Sequence, residues 1–215
     1  MRAWRLIVCL GVALARFCAL AQGTFRDLDF EQANIIINPG GFISTGNAFP
    51  GWTVLADGSP MSEVELNGVV PLGAGIADRN YETLDGSFSA LLAGSGLLDS
   101  TMSIAQSGAI PAGSESLTFA GSRFSVFFAG HALPLQALGS GPNSGDGWGA
   151  NISAYAGQYG QLLFQAGPGG AYYLDDIAFS TRAIPEPAVL SILGLGVLML
   201  SLGCRRRRAR SAAMR

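Results

Sequence analysis

Between residues 22 and 183 the apolar residues come only in short, strand-length runs, each closed by Gly, Ser, Asn or Asp, and no helical period is sustained. That punctuation is what most narrows the fold. With 30 Gly, 10 Pro and only 13% charged residues in 215, the chain reads as one all-β domain flanked by two terminal segments of different character. Ten runs have strand character: 28–31, 52–56, 62–66, 87–92, 101–107, 116–120, 124–129, 151–155, 161–165 and 172–179. Alternation of period two shows in Glu63-Val64-Glu65-Leu66 and in Leu117 and Phe119. Turns are expected at Asp57-Gly58, Asp85-Gly86, Ser140-Gly141-Pro142 and Gly167-Pro168-Gly169-Gly170. Many short strands at such spacing predict a β-sandwich or jelly roll.

Charge is segregated along the chain. Residues 22–183 hold 14 acidic side chains against four Arg, a net charge of about −10, and Lys is absent throughout. A domain so acidic repels phosphate backbones, which argues against nucleic acid as a partner. The three cysteines, Cys9, Cys18 and Cys204, all lie outside 22–183, so the domain has neither a disulfide nor a thiolate metal site. Its stability must come from an apolar core, with a hard metal ion on oxygen ligands as the available supplement.

The N-terminal segment reads as a signal peptide over residues 1–21. Arg2 and Arg5 make a short positive region, and the apolar run 6–15 is too short to span a membrane. Ala19-Leu20-Ala21 offers the small-x-small pattern that a signal peptidase accepts, placing cleavage after Ala21. Export through the Sec translocon follows. Cys18 comes after Arg16-Phe17 and lacks the small preceding residue of lipid-modified leaders.

At the other end, Pro185-Glu186-Pro187 precedes the uncharged apolar run 188–203, and Arg205, Arg206, Arg207 and Arg208 follow. A helix over the run rises about 24 Å, slightly short of a hydrocarbon core, and snorkelling Arg side chains make up the difference. The Arg cluster is a stop-transfer signal that keeps the C-terminus cytoplasmic and the domain outside. A buried core helix would be amphipathic, whereas this run is apolar all round. The two prolines make 185–187 extended and open to a processing enzyme. Residues 184–215 resemble the PEP-CTERM sorting domain. The resemblance implies an exosortase that recognises Pro185, Glu186 and Pro187 and removes the tail, leaving the protein released or attached at the outer envelope or extracellular matrix. A sortase signal would need a Leu-Pro-x-Thr-Gly element, and a GPI signal ends in its hydrophobic tail; neither matches.

The middle domain resembles galactose-binding-like jelly rolls in its opening Leu28-Asp29-Phe30-Glu31, its Pro50-Gly51-Trp52 element, and its closing Ile152-Ser153-Ala154-Tyr155-Ala156-Gly157-Gln158 and Leu174-Asp175-Asp176-Ile177. The resemblance implies that the terminal strands pair, bringing Glu31 near Asp175 and Asp176, where such modules often hold a structural calcium. The alternative is that one aspartate faces solvent while the other accepts backbone hydrogen bonds. Trp148, Tyr155, Tyr159, Tyr172 and Tyr173 cluster in the last third, and sugar rings stack on aromatic faces. Trp148, in an expected 145–148 loop, and Tyr155 are the candidate contacts to an exopolysaccharide, with a purely structural role as the alternative. Trp52 is expected in the core.

Support for catalysis is thin. The sequence has no Gly-x-Ser-x-Gly elbow, His-Glu-x-x-His or phosphate-binding loop, and His131 is its one histidine, expected at a strand end. The expectation is a non-enzymatic envelope or matrix protein whose domain is structural or glycan-binding, with an envelope-associated polysaccharide hydrolase as the alternative.

Overall fold

A computed structural model describes residues 25–68, 73–79, 83–94, 101–140 and 146–184. The chain divides into two compact units, Met1–Ala183 and Ile184–Arg215. The expected leader with Ala19 and Ala21, the motif Pro185, Glu186 and Pro187, the span 188–203 and the cluster from Arg205 to Arg208 all lie outside the described residues. Among the described residues no helix is long and apolar enough to cross a membrane.

The first unit is built from strands. In chain order they are β1 (Phe42–Ser44), β2 (Thr53–Ala56), β3 (Ser59–Pro60), β4 (Glu63–Leu66), β5 (Gly73–Asp78), β6 (Phe88–Gly94) and β7 (Met102–Ala109). The second half contributes β8 (Ser116–Gly121), β9 (Ser125–Phe128), β10 (His131–Leu133), β11 (Leu135–Ser140), β12 (Asp146–Asn151), β13 (Tyr159–Gln165) and β14 (Gly170–Ser180). A single-turn helix, Thr45–Ala48, and a 3-10 turn, Ser153–Tyr155, are the helical pieces described. One sheet has eight strands in the order β1-β4-β5-β6-β14-β8-β12-β11, and the other has six in the order β10-β9-β13-β7-β2-β3. Pairing is antiparallel except between β4 and β5.

The sheets meet through aromatic side chains. Phe164 of β13 sits between Ile104 of β7 and Val126 of β9 in the six-stranded sheet. Its ring lies edge-on, 5.2 Å from that of Phe119 on β8 in the eight-stranded sheet, which sets the two layers face to face. Phe124 and Trp52 flank Phe164 at 6.0 and 6.3 Å, and Phe30 reaches Trp52 at 5.7 Å. Trp52 is in the core as expected, 5% exposed, with its indole N–H donated to the carbonyl of Asp27 at 2.9 Å.

Where local chemistry is decisive, expectation and structure coincide. Asp57 and Gly58, at φ +47° and +78°, form the two-residue turn between β2 and β3, with Ala56 opposite Ser59. The Asp57 carboxylate also accepts the Thr101 amide at 2.7 Å.

Three expectations are corrected. Residues 28–31 form no strand, because Asp27 and Phe30 take left-handed backbone angles and the Asp27 carboxylate accepts the Gln32 amide at 2.9 Å, curling the segment into turns. The strand expected at 151–155 is not formed: β12 ends at Asn151, whose side-chain oxygen accepts the amide and hydroxyl of Ser153 and starts the 3-10 turn. Trp148 accordingly stands inside β12 and is half-buried, not in an exposed loop. Strands β1, β3, β5, β10, β11 and β12 went unanticipated. Gly73–Asp78 shows why: a mostly small-residue segment buried at every position from 74 to 77, on both faces, carries no alternation to detect.

Candidate functional site

A bulge in β14 organises an acidic neighbourhood. Pairing with β8 slips between Asp175 and Ala178, opposite Ala120 and Thr118, and Asp176 takes the left-handed region at φ +50°. The freed Ile177 amide donates to the carbonyl of Leu28 at 2.9 Å, docking the N-terminal segment across the bulge. Gln106 of β7 holds that segment from its other side, accepting the Arg26 amide at 2.5 Å and donating to the Arg26 carbonyl at 3.0 Å. An open cleft of about 660 Å3 results, lined by Asp27, Asp29, Gln32 and Asp176 among others.

The carboxylates here have unequal fates. Asp175 is 1% exposed; it accepts the Ser89 hydroxyl at 2.6 Å and the amides of Asp85 and Asp176 at 3.3 and 2.8 Å. Burial nonetheless pushes its carboxyl up to about 7, against the pull of those donors and with a further push from the charge of Asp176. Burial likewise lifts Asp27 to about 6, opposed by the Gln32 amide and assisted by the charges of Asp29 and Glu31. Asp27 is 4% exposed, and its Oδ2 is buried with no hydrogen-bond partner among the described residues. Asp176 faces solvent and is also raised, first by partial burial, then by the charges of Asp85, Asp29 and Glu31.

Glu31, Asp175 and Asp176 are not arranged as the calcium site that the resemblance implied as one of two alternatives. One oxygen of Glu31 is spent on the amides of Ser87 and Phe88 at 2.6 and 3.0 Å, while Asp175 is committed to Ser89 and two amides. Among the described residues no group of three or more His, Cys, Asp or Glu is placed to hold a metal ion. The two aspartates divide instead as the alternative had it, one buried on hydrogen bonds and the other outward.

Nor do the two candidate sugar contacts share a site. Trp148 sits near the end of β8, its indole N–H donated to the carbonyl of Gly121 at 3.0 Å, and the guanidinium of Arg123 lies 5.5 Å from its ring centre. Tyr155 follows the opposite end of β12, edge-on to Phe128 at 5.3 Å and stacked on His131 at 6.2 Å. His131 opens β10 and is exposed, a strand-end residue as expected. Tyr159 is 59% exposed at the start of β13, Tyr172 packs on Phe124 at 5.7 Å, and Tyr173 pairs with Leu91 in β6. Sequence reasoning missed Asp27 and Arg123. Only the isolation of Arg123 in a long stretch without cations hinted at its use.

Comparison of the chain with protein families, with curated proteins and with solved structures found no match in any of the three. Any functional reading rests on the residues and their geometry.

Proposed function

We propose that the chain is an exported protein of the outer envelope or extracellular matrix, delivered by a signal peptide and trimmed by an exosortase. Its domain is a jelly-roll-like module with a structural or glycan-binding role. The observation that carries this reading is the order Pro185-Glu186-Pro187, uncharged run, Arg cluster, because each part does a separate job in halting and exposing the chain. The fold is compatible with trimming, since the core side chains run from Phe30 to Ile177 and none of these is lost with the tail. The jelly-roll reading draws on the path of the chain, which passes from one sheet to the other eight times, between β1 and β2, β3 and β4, β6 and β7, β7 and β8, β8 and β9, β10 and β11, β12 and β13, and β13 and β14. In a cell that carries an exosortase, Glu186→Ala leaves full-length protein in the membrane fraction on immunoblots. Unchanged trimming of the variant would remove the sorting reading.

One observation favours the hydrolase alternative. Asp27, held near 6 by burial, lines an open cleft together with Asp29, and a carboxyl group raised in this way beside a second carboxylate is the equipment of acid–base glycosidic cleavage. A hydrolase shortens the polysaccharide it retains and stops doing so in Asp27→Asn. A binding module retains it at constant length, as size-exclusion chromatography would show.

A further inference from the structure

A second concavity, which Arg123 lines, is the chemical opposite of the acidic cleft. It encloses about 430 Å3, within the range of small-ligand sites, and is walled by Phe127, Leu133, Pro134, Leu135 and Tyr172. Arg123 is the single charged residue in its lining. In a domain where acidic groups outnumber Arg 14 to four, carboxylates abound to pair with an Arg that lines an otherwise uncharged cleft. Arg123 makes no ion pair among the described residues; its guanidinium rests on Trp148 instead.

That arrangement prepares a fork. Stacking on an indole leaves the N–H edge of a guanidinium free in its own plane, and that edge matches a carboxylate with two parallel hydrogen bonds. The indole itself is fixed by its bond to the carbonyl of Gly121 and by the pairing of Trp148 with Phe119. Tyr172 is steadied by the buried Phe124, and Gly167 leaves room for its hydroxyl, since a Cβ there would stand 2.8 Å from the Tyr172 oxygen. Phe127 is half-buried on the outer face of the six-stranded sheet. A cleft lined by two aromatic residues and one Arg suits a ligand with an apolar C–H face and one carboxylate.

We infer that this cleft binds the uronic acid residue of an acidic glycan. Arg123 grips the carboxylate, and Tyr172 and Phe127 receive the face of the sugar ring. The inference rests on the glycan-binding reading above and names its substrate class. It also assigns Trp148 a different part: the residue orients Arg123 and is not itself the stacking platform.

The test is calorimetric titration of the detergent-solubilised full chain with oligogalacturonate, oligomannuronate and oligoglucuronate, and with cello-oligosaccharide as the neutral counterpart. At least one uronate series binds, the neutral sugar does not, and Arg123→Gln weakens uronate binding at least about tenfold, the cost of losing a charged hydrogen-bond pair. Arg123→Lys, which keeps the charge and loses the fork, restores only part of it. The side chain is exposed, so both variants keep the parent's melting temperature. Uronate binding indifferent to Arg123→Gln, or equal binding of the neutral sugar, overturns this inference and leaves the glycan reading standing. Failure of every sugar to bind overturns both.

Discussion

Melted at pH 5 and again at pH 8, the protein should unfold about 10 °C higher at the acid pH, the reverse of the usual trend for a domain rich in carboxylates. The cause is burial. Asp175, held near 7, and Asp27, held near 6, both start from an ordinary value of 3.8, so between about pH 4 and pH 7 the folded chain keeps protons that the unfolded chain has released. Stability is therefore fully present below the unfolded value and is lost as the pH rises through the folded ones. Over the interval from pH 5 to pH 8 the loss is roughly 4 kcal/mol, which for a domain of this size corresponds to the stated shift in melting temperature.

Asp175→Asn separates this account from its rival. If burial dominates, the amide mimics the neutral acid, the slope flattens, and the variant at pH 8 melts at least as high as the parent. If the Ser89 hydroxyl and the two amides kept Asp175 ionised, the same variant would melt lower at pH 8, and the parent would show only the smaller alkaline loss that Asp27 contributes. Differential scanning calorimetry across the range distinguishes the two.

Phe164→Ala should cost about 3–5 kcal/mol, a large share of the stability of a small domain. Phe164 is fully buried, and its ring meets Trp52, Phe119 and Phe124, so its loss opens a void between the two sheets where neither can close independently. Phe164→Leu fills most of that space and should cost well under half as much. In urea the alanine variant shifts the midpoint and leaves the slope unchanged. A cost below about 1 kcal/mol would mean that the sheets are not held at this seam.

What was readable in advance follows from the range of the interactions involved. Asp57-Gly58 was legible because two left-handed residues in succession admit few side chains, and Trp52 because a large apolar ring has one favourable place to go. Strands such as Glu63–Leu66 and Ser116–Gly121 carry a periodicity that survives in the primary order. Residues 28–31 carried the same kind of pattern and were misread, because the backbone angles of Asp27 and Phe30 answer to contacts with Trp52, Gln106 and β14, far away in the chain. Trp148 was misplaced for a related reason: the glycines around it look like a loop until β8 and β11 pair on either side.

By itself the sequence determined the all-β character of the domain, its lack of cysteine and its acidity, and it carries in plain order the tail motif on which the sorting proposal stands. These are properties of composition and near neighbours. The tertiary structure decided which carboxylates lose their water, that Trp148 stands within β12 while Tyr155 lies beyond its end, and that Arg123 shares a cleft with Phe127 and Tyr172. Desolvation and convergence depend on strands far apart in sequence closing over one another, and only the folded chain specifies that closure.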